Sequence, residues 1–432
     1  MIVNSKIFDN GITLVAAKVD HIQSATILIT VKAGSRDESS DIMGVSHFLE
    51  HMLFKGTRKY QTPKDVSYLI EGIGGEINAS TDREFTQYLI RVPNIYIERA
   101  LDLLSEMFLY PKLDLEELEK ERMVILEELN MIYDQPAERC EQLLCKLVWP
   151  NNSLGCEVGG SIESISSIDR KDLFDFMEQH YKADKMVISI VSPSKFELLV
   201  QKIQKYFSVI STSNSLNNRN EKEIVEFGSK QVAFEDRDIE QAQVFLGFPG
   251  ISRLSEFRYS GLVLHSLLSG GMSSRLFLEL RENQGLVYDI NSYAYSFVNV
   301  GMSGIYMGVS PSKLNQAIYS VILEINKIMK KGLFQEELNR AKMYLKGRMN
   351  LSFENPQFLA NWIALNYLFE GKVLYPDFLL EKIDLVSKKE IEKLVQVAFD
   401  VEKMSLAIVA PKNKCDFKIF NDLSLTQIEI NF

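Results

Sequence analysis

The chain is poor in several features that would settle its class at once. Four cysteines, Cys140, Cys145, Cys156 and Cys415, are spread over 432 residues with no CxxC pair. That excludes a thiolate zinc site and a disulfide framework, and the four read as reduced thiols. No apolar run approaches the ~18–20 residues that a membrane-spanning helix needs, so no membrane partner is expected. The N-terminus, MIVNSKIFDNGITLVAAK, has neither the basic start and apolar stretch of a signal peptide nor the Arg-rich pattern of a transit peptide. It alternates like a strand around an Asn-Gly turn, and a cytoplasmic, bacterial location is the expectation. Basic charge is also short. Lys and Arg number 48 against 58 Asp and Glu, and the net charge of −10 argues against a nucleic-acid partner. Histidine is scarce too, with five in the whole chain.

What is present is ordinary globular material. Hydrophobic residues at 46% and charged residues at 25% exclude a disordered or fibrous chain. At 432 residues the chain is too long for one comfortable core, and two or more domains are expected.

Internal similarity says how those domains are related. KMVISIVSPSK begins at Lys185, and KMSLAIVAPKN begins 218 residues later at Lys403. The helical stretches leading into them, from Ser167 and Leu385, are 218 apart as well, and QYLIRVPNIYIERALDLLSEMF around Val92 resembles SGIYMGVSPSKLNQAIYSVILEI around Val309 at 217. Three matches in the same order at nearly one offset indicate a duplicated domain. STSNSLNNRNEKE, residues 211–223, is polar and rich in Ser and Asn, as a linker would be. The expected division is 1–210, a linker over 211–228, and 229–432. In the first half, TILITVKAG and FTQYLIRV read as strands. GVSHFLEHMLF, VSYLIEGIG, RALDLLSEMFL and LEELEKERMVILEELNMI read as helices. The class expected is α+β: two homologous domains, each a mostly antiparallel sheet flanked by helices.

Two of the five histidines fall within VSHFLEHMLFKGT, with Glu50 between them. On a helix His47, Glu50 and His51 share a face. Neutral imidazoles at i and i+4 can chelate one zinc ion while the carboxylate reaches a water, the inverted HxxEH form of the zinc-peptidase motif. A catalytic zinc needs a third protein ligand, and the acidic helix downstream offers candidates. In EKERMVILEELNM, Glu121 and Glu128 lie two turns apart on one face, while Glu127 points about 100° away. Val124, Ile125 and Leu129 suggest that this stretch is partly buried, where an unpaired carboxylate is costly and ligation by Glu128 would relieve the cost. His21, His180 and His265 read as core or packing histidines.

These residues resemble the pitrilysin and mitochondrial-processing-peptidase family of zinc metallopeptidases, nearly end to end. AGSRDESSDIMGVSHFLEHMLFKGT is similar to its N-terminal signature, GGEINASTDREFTQYL to its substrate-edge strand, and ERMVILEEL to the helix of the third ligand. The resemblance implies one zinc per chain held by His47, His51 and Glu128, with Glu50 as general base and Glu121 orienting a ligating imidazole. It implies that Asn78 and Ala79 lie on the strand that receives an extended peptide. In GGMSSRLFLELRENQGLVYDI, Arg281 and Tyr288 match the family's oxyanion-stabilising pair.

The second half carries no HxxEH. The resemblance further implies half of a clamshell chamber, closed by a second chain. A homodimer is favoured because both constellations occur in one chain, and a heterodimer with a related subunit is the other arrangement. The expected function is zinc-dependent endopeptidase action on peptides or unfolded segments. The alternatives are a dedicated protease for one precursor or leader peptide, and a non-catalytic structural subunit.

Overall fold

A computed structural model of the chain describes residues 2–213 and 225–428. The described residues divide into two compact units, one comprising 2–130, 157–213 and 351–375, the other 131–156, 225–350 and 376–428. Each unit is built on a six-stranded mixed sheet, so the α+β class holds.

The first sheet contains β1 (Ile2–Ile7), β2 (Thr13–Lys18), β3 (Ser24–Val31), β4 (Glu76–Thr81), β5 (Thr86–Pro93) and β6 (Met186–Ser192). The second contains β7 (Gln231–Asp236), β8 (Ala242–Pro249), β9 (Val287–Ser296), β10 (Gly301–Val309), β11 (Ser405–Ala410) and the short β12 (Thr426–Gln427). Their orders, β1-β2-β6-β3-β5-β4 and β12-β7-β11-β8-β10-β9, correspond over five strands, while the outermost differ, β1 running antiparallel to β2 and β12 parallel to β7. Within each, the pairs β2–β6 and β7–β11 are parallel, while the three pairings that follow toward β4 and β9 are antiparallel. The repeat seen in the sequence at Lys185 and Lys403 is thus β6 and β11, equivalent central strands. The Asn-Gly turn between β1 and β2 places Gly11 at φ +93°, a left-handed conformation that glycine adopts without strain.

The strand run TILITV does not alternate because both faces of β3 are covered. Ala25, Ile27, Ile29 and Val31 pack into a core under the helices α1 (Val45–Leu53), α2 (Pro63–Glu71), α3 (Ile97–Leu109) and α4 (Leu115–Asp134). Leu28 faces the other way, onto the helix Pro356–Glu370, where Leu359, Ala360, Ile363 and Ala364 are buried against β1, β2, β3 and β6. Ser189 on β6 donates to the carbonyl of Ala360 at 2.9 Å and fixes that contact.

The second sheet receives a helix of its own in the same manner. In α5 (Pro136–Val148), Cys140, Leu143, Leu144 and Leu147 are buried with Ala233, Phe245, Ala407 and Val409. The expected continuous domains, 1–210 and 229–432, are corrected here. Residues 131–156 belong with the second unit and 351–375 with the first. An amphipathic stripe states that a helix must cover apolar surface, not which of two homologous sheets it covers, and each buried Leu or Ile contributes about 1.5–3 kcal/mol on either. Of the expected linker over 211–228, residues 214–224 lie outside the described residues. All four cysteines are free thiols. No described helix is long and apolar enough to cross a membrane.

Candidate metal centre

The centre is assembled from two helices of the first unit. α1 starts abruptly at Gly44, whose φ of +89° only glycine adopts readily, and a Cβ there would sit 2.6 Å from the carbonyl oxygen of Gly159. No side chain at the N-cap position closes the helix. Glu38 does so instead, accepting from the backbone N–H of Gly44 at 2.7 Å and of Ser46 at 2.9 Å, and from the Ser46 hydroxyl. This carboxyl satisfies the first orphan donors of α1 and fixes the direction in which the helix leaves the loop. Its burial pushes it up to about 7 despite those hydrogen bonds.

The apolar face of α1 buries Val45, Phe48, Leu49, Met52 and Leu53. The 3.6-residue period then turns His47 and His51 together toward α4, their rings 4.7 Å apart and edge to face. Two turns of α4 answer them. Glu128 Oε2 lies 3.9 Å from His47 Nε2 and 3.6 Å from His51 Nε2. Glu121 Oε2 meets His51 Nδ1 at 3.1 Å, while its other oxygen takes the ammonium of Lys55 at 2.5 Å. Glu127 is exposed and Ile125 and Leu129 are buried, as the helical period requires; Val124, expected to be partly buried, is exposed.

Glu50 lies on the same helix and is buried, and its Oε2 accepts from the Thr81 hydroxyl at 2.7 Å. Behind it stand two fully buried phenols, Tyr88 and Tyr181, hydrogen-bonded to each other at 2.7 Å. Burial raises both phenols, and the negative charge of Glu50 adds to this. They therefore stay protonated and form a neutral wall.

The electrostatics divide the two imidazoles. Burial, then the neighbouring His51, lowers His47 to about 4, so it is neutral at ordinary pH. Burial also pulls His51 down, but the hydrogen bond it donates to Glu121 and the charges of Glu128 and Glu50 outweigh it and hold the ring above its usual range. Glu121 is the reciprocal case: burial opposes ionisation, and His51 and Lys55 overcome it to hold the carboxyl below its usual range. Glu50 is pushed up chiefly by burial, with Glu128 adding and Thr81 and His51 opposing.

The donor set fits a zinc ion. One ligand atom each from His47, His51 and Glu128 lies within 4.8 Å of the others. Ligands about 2.0–2.1 Å from a tetrahedral zinc are separated by about 3.3 Å, so closure around an ion asks for only a small contraction. His47 Nδ1 is buried with no hydrogen-bond partner and lies 3.7 Å from where a Cβ on Gly159 would be, which leaves Nε2 as the nitrogen on the shared space.

The other expected residues fall as follows. Asn78 and Ala79 lie on β4, the edge strand of the first sheet, with Ala79 and Thr81 on the face toward α1 and Asn78 on the opposite face. Arg281 and Tyr288 lie in the second unit, Arg281 on a π-helical turn (Phe277–Asn283) and Tyr288 at the start of β9. Arg281 donates to the Tyr288 carbonyl at 2.7 Å, its guanidinium stacks over the Phe277 and Tyr288 rings, and the Tyr288 side chain is exposed. His265 packs against Phe399 and contacts Ser292, and His180 is buried against Phe176, as packing histidines. Sequence reasoning missed Thr81, Glu38 and Lys55. Thr81 was reachable, because strand alternation from Ala79 puts it on the same face.

Two family profiles match the chain, one described as insulinase (peptidase family M16) over residues 14–161 and one as peptidase M16 inactive domain over 167–345. The first contains the HxxEH motif and Glu121 and Glu128 of α4; the second contains Arg281 and Tyr288. An uncharacterized zinc protease of Bacillus subtilis is 31% identical over 93% of this chain and 97% of its own length. Another from Streptomyces coelicolor is 32% identical over 93% and 88%. Among solved structures, a protease from Helicobacter pylori superimposes with a TM-score of 0.87 at 19% identity, covering 94% of this chain and 99% of its own. A peptidase M16 inactive domain from Pseudomonas fluorescens does so at 0.88 and 18%, covering 95% and 99%. At those identities the structural likeness speaks for the fold alone.

Proposed function

The chain belongs to peptidase family M16, and on that premise we propose that it is a zinc-dependent endopeptidase acting on peptides or unfolded segments. One observation carries the reading: the ligand atoms of His47, His51 and Glu128 converge, with the Glu50 carboxylate on the next position of the same helix face. His47, His51 and Glu128 would hold one ion per chain. Bound there, zinc supplies Lewis acidity, polarising the scissile carbonyl and acidifying a water.

The chain's own groups do the rest. Glu50, raised by burial, accepts the proton of the attacking water and then delivers it to the leaving amine. Thr81 holds the oxygen of Glu50 that it touches. Glu121 keeps the proton of His51 on Nδ1, leaving Nε2 as a ligand. The edge of β4 not engaged by β5 receives the substrate backbone along Asn78 and Ala79, which restricts the enzyme to extended chains. Arg281 and Tyr288 would donate to the oxyanion, in a homodimer from the partner copy. The HxxEH set is intact, which disfavours a purely structural subunit. Four free thiols and no described membrane-spanning helix are in keeping with a cytoplasmic protein.

The test is metal content and cleavage of a quenched-fluorescence peptide, wild type beside Glu50→Gln. Near one zinc per chain in both with cleavage only by wild type supports the division into ligands and base. Absence of bound metal in both rules out the peptidase reading.

A further inference from the structure

Thr81 and Asn78 sit on opposite faces of β4, and the face of Asn78 borders a cavity of about 300 Å³. The cavity lies between the edge of the first sheet and the start of the helix Pro356–Glu370. Its polar lining is uncharged: Asn78, Ser80, Gln87, Asn355, Gln357 and Asn361. Five of the six are carboxamides, an unusual concentration around one small space.

Hydrogen bonds leave a definite set of these groups without a partner. Asn78 Oδ1 accepts from Ala79 N, and Asn355 Oδ1 caps the helix by accepting from Gln357 N, and neither amide nitrogen has an acceptor among the described residues. Gln87 is buried to 92% and donates through Nε2 to Thr30 and to Asn361 Oδ1. Its own Oε1 and the Asn361 nitrogen have no partner among the described residues. Three N–H₂ donors and two acceptors, Gln87 Oε1 and Gln357 Oε1, therefore belong to residues lining the cavity, the Gln357 nitrogen being taken by Glu76. Leu28, Leu89 and Phe358 supply apolar wall.

An occupant must match that chemistry. A charged side chain would be buried with no counter-charge in the lining, and an aliphatic one would desolvate the amides without pairing them. A carboxamide answers both, accepting from Asn78, Asn355 or Asn361 and donating to Gln87, with its methylenes on the apolar wall. The volume is at the low end for ligand sites and suits a side chain better than a free cofactor. A peptide added to β4 presents alternate side chains to the two faces of the sheet, so a side chain opposite Asn78 and Ser80 falls at this cavity.

We propose that the cavity is a specificity pocket taking a glutamine or asparagine side chain of the peptide held on β4. The assignment rests on the peptidase reading for the peptide, and on the lining for the preference.

The experiment is a set of quenched-fluorescence peptides, with Gln, Glu, Lys or Leu placed in turn at each position flanking one scissile bond. Cleavage is measured with the zinc-loaded wild type and with Asn361→Leu and Ser80→Leu; Ser80 is exposed, so bulk there fills the pocket without touching the core. One position should favour Gln over Glu, Lys and Leu by about tenfold or more in kcat/KM. That ratio should fall toward unity, or turn to Leu, in both variants. Cleavage with no carboxamide preference at any position, or a preference unchanged in both variants, overturns the pocket and leaves the peptidase reading standing. If no peptide is cleaved, fluorescence anisotropy of the same peptides decides: tighter binding of the Gln peptide, lost in both variants, supports the pocket although the peptidase reading has failed. Equal affinities overturn it.

Discussion

The hydroxyl of Thr81 donates a 2.7 Å hydrogen bond to Glu50 Oε2, joining the edge strand of the first sheet to the carboxylate of α1. The strand proposed to hold the substrate and the group proposed to move the proton are thereby one hydrogen bond apart. Replacing Thr81 with Val keeps the shape and removes the donor. The expected result is a fall in kcat of about tenfold or more with KM little changed and zinc content unaltered, since only the aim of the base is lost. Thr81→Ser should recover most of the rate. A Val variant that loses zinc, or a Ser variant as slow as Val, would assign the residue a structural role instead.

Glu121 engages His51 Nδ1 with one oxygen and Lys55 with the other. Glu121→Gln removes the charge that fixes the tautomer and orientation of the ring. Zinc affinity should weaken by about 10–100-fold, measured by competition with a chelator, and excess zinc should restore much of the activity. Unchanged affinity would mean that α1 alone holds His51 in place.

The legible part of this site is the part that is local in sequence. His47, Glu50 and His51 are linked by one helical turn, so three letters and a period describe their geometry. The Glu121–Glu128 face was legible for the same reason, although it took the family resemblance to join α4 to α1. Glu38 was not legible, and of Thr81 only the face was, not the carboxylate it meets. Their contacts are made by a loop and a strand end whose directions depend on sheet register and on Gly44, and hydroxyls and carboxylates are common at such places. The exchange of α5 and the helix Pro356–Glu370 between units was hidden because two homologous sheets present similar apolar faces, and helical periodicity cannot choose between them.

His265 offers a test of stability away from the metal. It is half-buried in the second unit, and the loss of water around the ring lowers it to about 4 from an ordinary value near 6.5. The folded state therefore binds fewer protons than the unfolded state between those values. Its contribution is fully present above about pH 6.5 and is lost as pH falls toward 4, by up to about 3 kcal/mol. Urea unfolding of the metal-free protein should show this slope in wild type and a shallower one in His265→Gln. Equal slopes would place the titration elsewhere.

Arg281 and Tyr288 decide whether a site is completed by another copy. If the pair serves the partner's zinc in a homodimer, Glu50→Gln and Arg281→Ala disable the same site from different chains. Each variant alone has every site defective. A mixed dimer has one site with an intact base on the Arg281→Ala chain and an intact arginine from the Glu50→Gln chain. Mixing the two inactive proteins and allowing subunit exchange should therefore restore activity toward a quarter of the wild-type level. That figure follows because about half of randomly formed dimers are mixed and each has one working site of two. If the pair acts on the zinc of its own chain, no mixture recovers, because no chain then holds both groups.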